Sequence, residues 1–303
     1  RNLQGNVPSY TTAPVSEWLG SHVYAALGIP VHETVLGIRD GRIVCACRDF
    51  TFPDSRLVNF HDLKNSLSDD EPGFTEDAST GSGVVLADVR SAIHRIPVLR
   101  SIDGVSDRFW DMFVVDAFIR NIDRNNTNWG VLRNPRGEFS LAPVYDNGNS
   151  FNNKRTDSGI ERRLANPDLI RQDALDVRSC YVTDRGKPIA PLKYLASGQD
   201  EECTKALDRF MERYDPRSFH DLLGSIPSMS HGLTVVPDGF HEYHRRVCDY
   251  RYEHAFMEAW RDLHPTVGVP SSPEASVPEP LPDPDPSVLP SSSVPTCFDG
   301  PGM

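Results

Sequence analysis

Long apolar runs are missing from this 303-residue chain. No stretch approaches the roughly 20 residues that cross a bilayer, and the first residues carry no signal-peptide pattern. A cytoplasmic chain without membrane contact is therefore expected. Basic charge is also short: 31 Lys and Arg face 43 Asp and Glu, for a net charge of −12. That balance excludes a general nucleic-acid binder, which needs a basic face to displace counterions. Residues 265–303 hold five acids and no Lys or Arg, so residues 1–264 carry −7. Cysteine is sparse and scattered, at Cys45, Cys47, Cys180, Cys203, Cys248 and Cys297, with no CxxC and no zinc-type spacing. A disulfide framework is not expected, and reduced thiols are the default. Lysine does not occur before Lys64, and Arg1 is the only cation among the first sixteen residues.

What is present is a helix, a hairpin and a helical body. Ser16 reads as the N-cap of a helix with Leu19, Val23, Ala26 and Leu27 on its apolar stripe, ended by Gly28 and Pro30. Asp40-Gly41 between Thr34–Arg39 and Arg42–Arg48 signals a tight hairpin. Phe60–Leu67 suits a short helix, Ser82 a cap for a helix to about Arg95, and Asp107 a cap for Phe109–Ile122. That last segment is apolar on nearly every side and belongs inside a core. Trp129–Leu132 and Phe139–Val144 pair as strands across a turn, and residues 147–200 give few firm elements. Helices follow at Glu201–Tyr214, Pro216–Ile226 and Phe240–Leu263. Eleven of the 25 prolines fall in residues 265–303, a composition that builds no core and predicts a disordered or polyproline-like tail.

The chemistry concentrates in two stretches. Asp123-Arg124-Asn125-Asn126-Thr127-Asn128 leaves the buried helix, and Tyr145-Asp146-Asn147-Gly148 leaves the hairpin that follows. A hairpin brings its ends together, so Asn128 and Asp146 are expected to be neighbours. Magnesium takes few protein oxygens, typically carboxylate or amide. Phosphoryl transfer needs chiefly positioning and neutralisation of charge on phosphate oxygens. Asp123 suits the orientation of an attacking hydroxyl, with Asn128 and Asp146 holding metal. Asp/Asn-rich runs and Asp-Asn-Gly are also ordinary turns. A two-metal phosphohydrolase is disfavoured because the further His and Asp ligands are missing.

Asn121-Ile122-Asp123-Arg124-Asn125-Asn126-Thr127-Asn128-Trp129-Gly130 with Leu141-Ala142-Pro143-Val144-Tyr145-Asp146-Asn147-Gly148 resembles the catalytic core of HipA-like serine/threonine kinases. Leu27-Gly28-Ile29-Pro30-Val31-His32-Glu33-Thr34-Val35-Leu36-Gly37 is similar to another block of that family. The resemblance covers roughly residues 10–260. It implies an α+β, protein-kinase-like fold with a truncated small lobe in residues 1–52, a mainly helical large lobe in 53–264, and a tail in 265–303. It implies transfer of the ATP γ-phosphoryl group to a protein hydroxyl, with ATP and Mg as cofactors. A protein substrate and a cognate antitoxin are the implied partners. Asp123 becomes the catalytic residue, and Asn128 and Asp146 the metal ligands. Arg48 and Phe50 fall at the adenine hinge. Asn125 stands where many relatives carry a nucleotide-side histidine, and Glu17 takes the part of the helix glutamate that pairs with the ATP-binding lysine. In the family that lysine precedes the Glu17 helix, where this sequence has none. Two expectations follow: a fragment of an active kinase, or a degenerate kinase that binds protein or nucleotide without catalysis.

Other features receive bland readings. Ser79-Thr80-Gly81-Ser82-Gly83 reads as a loop, and His241, His244 and Cys248 as a solvated helix face. Cys45 and Cys47 share one side of a strand and are expected in the core. Arg162-Arg163 and Arg245-Arg246 read as surface charge. Ser179, Tyr181 and Thr183 lie where an activation segment would run, with no local mark of modification.

Overall fold

Helix α1, Ala13–Ala26, opens the computed structural model, which describes residues 12–68 and 83–265. Residues 1–11, most of the Ser79–Gly83 loop with the Ser82 cap, and the tail beyond Pro265 lie outside the described residues. Pro14 suits the first turn of α1, where an N–H would lack a partner. Thr12 is therefore the N-cap, and Ser16 is an interior, buried residue. Strands β1 (Thr34–Arg39) and β2 (Arg42–Cys47) pair antiparallel across Asp40 and Gly41. Both turn residues have positive φ, 51° and 69°, as a primed two-residue turn requires.

β3 (Arg56–Asn59) runs into α2 (Phe60–Ser68) and was not legible within its polar surroundings. It pairs antiparallel with β5 (Gly130–Arg133), which pairs in turn with β6 (Phe139–Leu141). Asn59 faces Gly130, where an added Cβ would lie 2.2 Å from the Val58 carbonyl oxygen. Only glycine allows this approach of the two strands. Between the strands of this sheet lie β4 (Val84–Val85), α3 (Leu86–Arg95), α4 (Pro97–Arg100) and α5 (Val105–Ile119). Gly104, in the left-handed region, precedes α5, and Asp107 sits in its first turn rather than at its cap.

The core is built around α5. Phe109, Trp110, Phe113, Val114, Val115, Phe118 and Ile119 are almost wholly buried. Burial of each such side chain contributes roughly 1.5–3 kcal/mol relative to exposure. The later elements are α6 (Asp157–Leu164), α7 (Pro167–Leu175), β7 (Tyr181–Val182), α8 (Pro191–Ser197), α9 (Glu201–Arg213) and α10 (Pro216–Gly224). α9 lies along α5, and Phe210 and Tyr214 ring Phe118 at centroid distances of 5.3 and 4.7 Å. A short β8–β9 hairpin (Met229–Ser230, Leu233–Thr234) leads to α11 (Phe240–Arg251), a π-helical turn at Tyr252–Phe256, and α12 (Met257–Leu263). The expected single helix over 240–263 is thus interrupted. No helix among the described residues is long and apolar enough to cross a membrane.

Several bland readings change. His244 and Cys248 are buried, not solvated, and burial lowers the pKa of His244 to about 3. Arg163 is buried with Asp173, which also accepts Arg155 Nη2 at 2.7 Å and the Tyr243 hydroxyl at 2.5 Å. Arg245 and Arg246 remain at the surface, paired with Glu242. Tyr181 is buried, its hydroxyl on the Arg124 carbonyl at 3.1 Å, so it presents no acceptor to solvent. Cys45 is half-buried and Cys47 exposed, because the two-stranded hairpin keeps one face uncovered.

Candidate active site

Asp123, Asn128 and Asp146 are brought together by a buried guanidinium. α5 ends with Arg120 at φ 58°, and Asn121 accepts the Asp123 backbone N–H at 3.1 Å. The chain then turns Arg124 inward, where it is only 2% exposed. Its Nε donates to Asp116 Oδ2 at 2.9 Å, and its Nη1 to the carbonyls of Asn128 (2.9 Å) and Tyr145. Its Nη2 donates to Asn147 Oδ1 at 2.5 Å. One side chain therefore ties α5 to the residue holding the candidate amide ligand and to both neighbours of Asp146. Asp116, Tyr24 and Asp146 outweigh burial and raise the Arg124 pKa, so it stays charged. Tyr24 completes the hub by donating to Asp116 Oδ1 at 2.8 Å.

Around this hub the loop is internally tied. Asn125 Nδ2 donates to Asp123 Oδ1 at 3.0 Å, while its Oδ1 accepts from the backbone and hydroxyl of Thr127 at 2.9 and 2.6 Å. Asn125 thus orients the candidate base. Asn128 Nδ2 donates to the Asp123 carbonyl at 2.7 Å, and among the described residues its Oδ1 accepts a 3.2 Å bond from the Thr127 hydroxyl. An amide held by its nitrogen with its oxygen weakly engaged suits a hard cation.

Asp146 sits at φ 58°, a conformation uncommon outside glycine. Its residue surface opens to solvent, yet the surrounding cleft desolvates the carboxyl and raises its pKa. Arg124 and His32 oppose that rise, while Glu17 and Asp123 add to it. An acid crowded by two other carboxylates is the environment that a divalent cation relieves. The oxygen donors therefore fit magnesium.

The segment Pro30–His32 is zipped onto Val144. Val144 N–H donates to the Pro30 carbonyl and His32 N–H to the Val144 carbonyl, both at 2.9 Å. This places His32 beside Glu17, whose Oε1 lies 2.8 Å from His32 Nε2. Ser21 Oγ lies 3.1 Å from the same nitrogen. Burial raises the Glu17 pKa, but the His32 contact and the Asn147 backbone N–H outweigh it, for a net lowering. Glu17 thus has an imidazole partner among the described residues, which the sequence reading missed. The signal was there as His32 in Val31-His32-Glu33, but helix and loop had to fold together to pair them.

The expected hinge residues divide. Arg48 is exposed and pairs with Glu33 at 2.9 Å, and its N–H donates to the Glu33 carbonyl. Phe50 lies 5.5 Å from the Tyr145 ring and 6.4 Å from His32, an aromatic wall beside Asp146. Tyr145 is fixed by its hydroxyl on Asn59 Oδ1 and the Thr127 carbonyl, each at 3.0 Å.

No family model matches the chain. A serine/threonine-protein kinase, CtkA of Helicobacter pylori, is 34% identical over 224 residues, which cover 73% of this chain and 66% of that relative. The chain thus spans about two thirds of the length of this curated relative. The crystal structure of a Helicobacter pylori proinflammatory kinase CtkA superposes with a TM-score of 0.75 at 29% identity, covering 86% of this chain and 90% of the other. A more distant likeness, at TM-score 0.48 and 14% identity over 84% of this chain and 59% of the other, is to Shewanella oneidensis HipA in complex with HipB and operator DNA. The match to CtkA in sequence and fold, over a span that includes the Asp123 loop and Asp146, supports one assignment: the chain belongs to the HipA-like serine/threonine kinase family.

Proposed function

We propose that this chain acts in transfer of the ATP γ-phosphoryl group to a serine or threonine hydroxyl of a protein, with magnesium. The observation that carries the reading is the Arg124 hub, which joins the Asn128 backbone and the Tyr145–Asn147 segment on one buried cation. Asp123, oriented by Asn125, accepts the substrate hydroxyl's hydrogen bond and aligns its oxygen for attack. Asn128 and Asp146 would hold magnesium, which neutralises charge on the phosphate oxygens when bound. Phe50 and Tyr145 supply an apolar wall for the adenine ring, and α1 with the β1–β2 hairpin serves as small-lobe structure over the nucleotide. A matching pair of assays tests this. Magnesium-dependent transfer of labelled phosphate to protein should be abolished by Asp123→Asn and by Asp146→Asn, with both variants folded.

A second reading, a degenerate kinase that binds without catalysis, is favoured by one contact: Glu17 meets His32 rather than a lysine. Under it, Mg-ATP raises the melting temperature without any transfer to protein. Binding to the native state alone raises apparent stability. Transfer that disappears with Asp146→Asn eliminates this second reading.

A further inference from the structure

We infer that the mouth of the cleft carries a second cation site, formed by Glu17, His32 and Cys47, for a thiophilic divalent cation of the zinc type. The three come from α1, from the segment zipped onto Val144, and from the last residue of β2. One ligand atom from each (carboxylate oxygen, imidazole nitrogen and Sγ) lies within 4.8 Å of the other two. A tetrahedral zinc centre with ligand bonds of about 2.0–2.3 Å spaces its ligand atoms about 3.3–3.7 Å apart. The 2.8 Å Glu17–His32 contact has to open by about half an ångström and the sulfur to close by at most about one. Both are side-chain adjustments.

The donor set separates this site from the oxygen-only pair Asn128 and Asp146. Sulfur and imidazole select zinc or cobalt over magnesium. Cys45 neighbours Cys47 on the same strand face but stands outside the three-atom cluster, so water is the fourth ligand. His32 is already held in place: Ser21 Oγ and Glu17 both sit on its Nε2, and its backbone is pinned to Val144. Metal binding requires the imidazole proton to reside on Nδ1, leaving Nε2 to ligate. A bound cation takes Cys47 as its thiolate. Occupancy ties Glu17, and with it α1, to the hairpin, so the site couples a zinc-type ion to the position of the family's helix glutamate.

Cobalt substitution tests the site without any need for phosphotransfer, so failure of the kinase reading leaves it standing. The metal-free, reduced chain is titrated with Co2+ and followed for sulfur-to-metal charge-transfer absorption in the near ultraviolet. One equivalent should produce the band, and Zn2+ should bleach it. Cys47→Ser, at an exposed position that spares the core, and His32→Ala should each lose it. Asp146→Asn should keep it, because the magnesium pair contains no sulfur. A wild-type chain without the band, or a band undiminished by Cys47→Ser, overturns the proposal.

Discussion

Replacing Arg124 by methionine probes the device on which the site rests. The guanidinium is buried and ion-paired to Asp116, and it caps two backbone carbonyls and the Asn147 side chain. Methionine fills much of the volume but leaves Asp116 as a buried carboxylate with only the Tyr24 hydroxyl as neutral donor. Removing one partner of a buried pair costs about 3–5 kcal/mol. In a unit of this size each kcal/mol lowers Tm by about 2–4 °C, so Tm should fall by about 6–20 °C. Urea unfolding should show the same loss as a lower midpoint at an unchanged slope. Adding Asp116→Asn in the Arg124→Met background should recover more than about 1 kcal/mol, because neighbours sharing a buried charge are not additive. A loss below about 1 kcal/mol for Arg124→Met, or no recovery in the double variant, would refute the hub argument.

Four further outcomes follow from the geometry. Asp146 has a raised pKa, so its ionised form opposes folding above that pKa; Asp146→Asn should raise Tm at neutral pH without metal, and magnesium should raise Tm only in the wild type. A metal-free variant that melts lower than the wild type would contradict this. Glu17 is shifted the other way, so its stabilising contribution is present above 4.5 and lost as pH falls through the lowered folded value; the Tm gap between wild type and Glu17→Gln should narrow in acid. His244 is buried and neutral, with a folded pKa of about 3 against 6.5 unfolded, so the unfolded chain takes up the proton first. Between pH 6.5 and 5 the wild type should lose about 1–2 kcal/mol relative to His244→Gln, read from urea midpoints. Gly130→Ala should weaken the β3–β5 pairing and lower phosphotransfer with it, since the new methyl meets the Val58 carbonyl at 2.2 Å; a variant with unchanged Tm would show that the strands separate freely.

The elements legible in the sequence were those whose signal is local. Asp40-Gly41 set the hairpin register because positive φ is available there, and α5 was readable from a run too apolar to be anything but core. The boundaries that moved did so for local steric reasons, as when Pro14 let α1 begin before Ser16. β3 escaped notice because its four residues acquire strand character only by pairing with β5. The π-helical turn at Tyr252–Phe256 likewise breaks a helical pattern that reads as continuous.

The sequence by itself determined the spacing of Asp123, Asn128 and Asp146, the buried helix before them and the turn between them. Spacing and periodicity are properties of the chain, and the β5–β6 hairpin turns the segment after it back toward the loop before it. The tertiary structure alone decided what holds the triplet and what stands beside it. Arg124 reads as a charge in a polar loop, yet it becomes the buried hub because Asp116 and Tyr24 converge on it from two helices. Glu17, His32 and Cys47 stand 15 residues apart with no spacing that joins them, and the zipping of Pro30–His32 onto Val144 together with the packing of the hairpin on α1 gathers them. Such contacts depend on long-range packing, which no local propensity encodes.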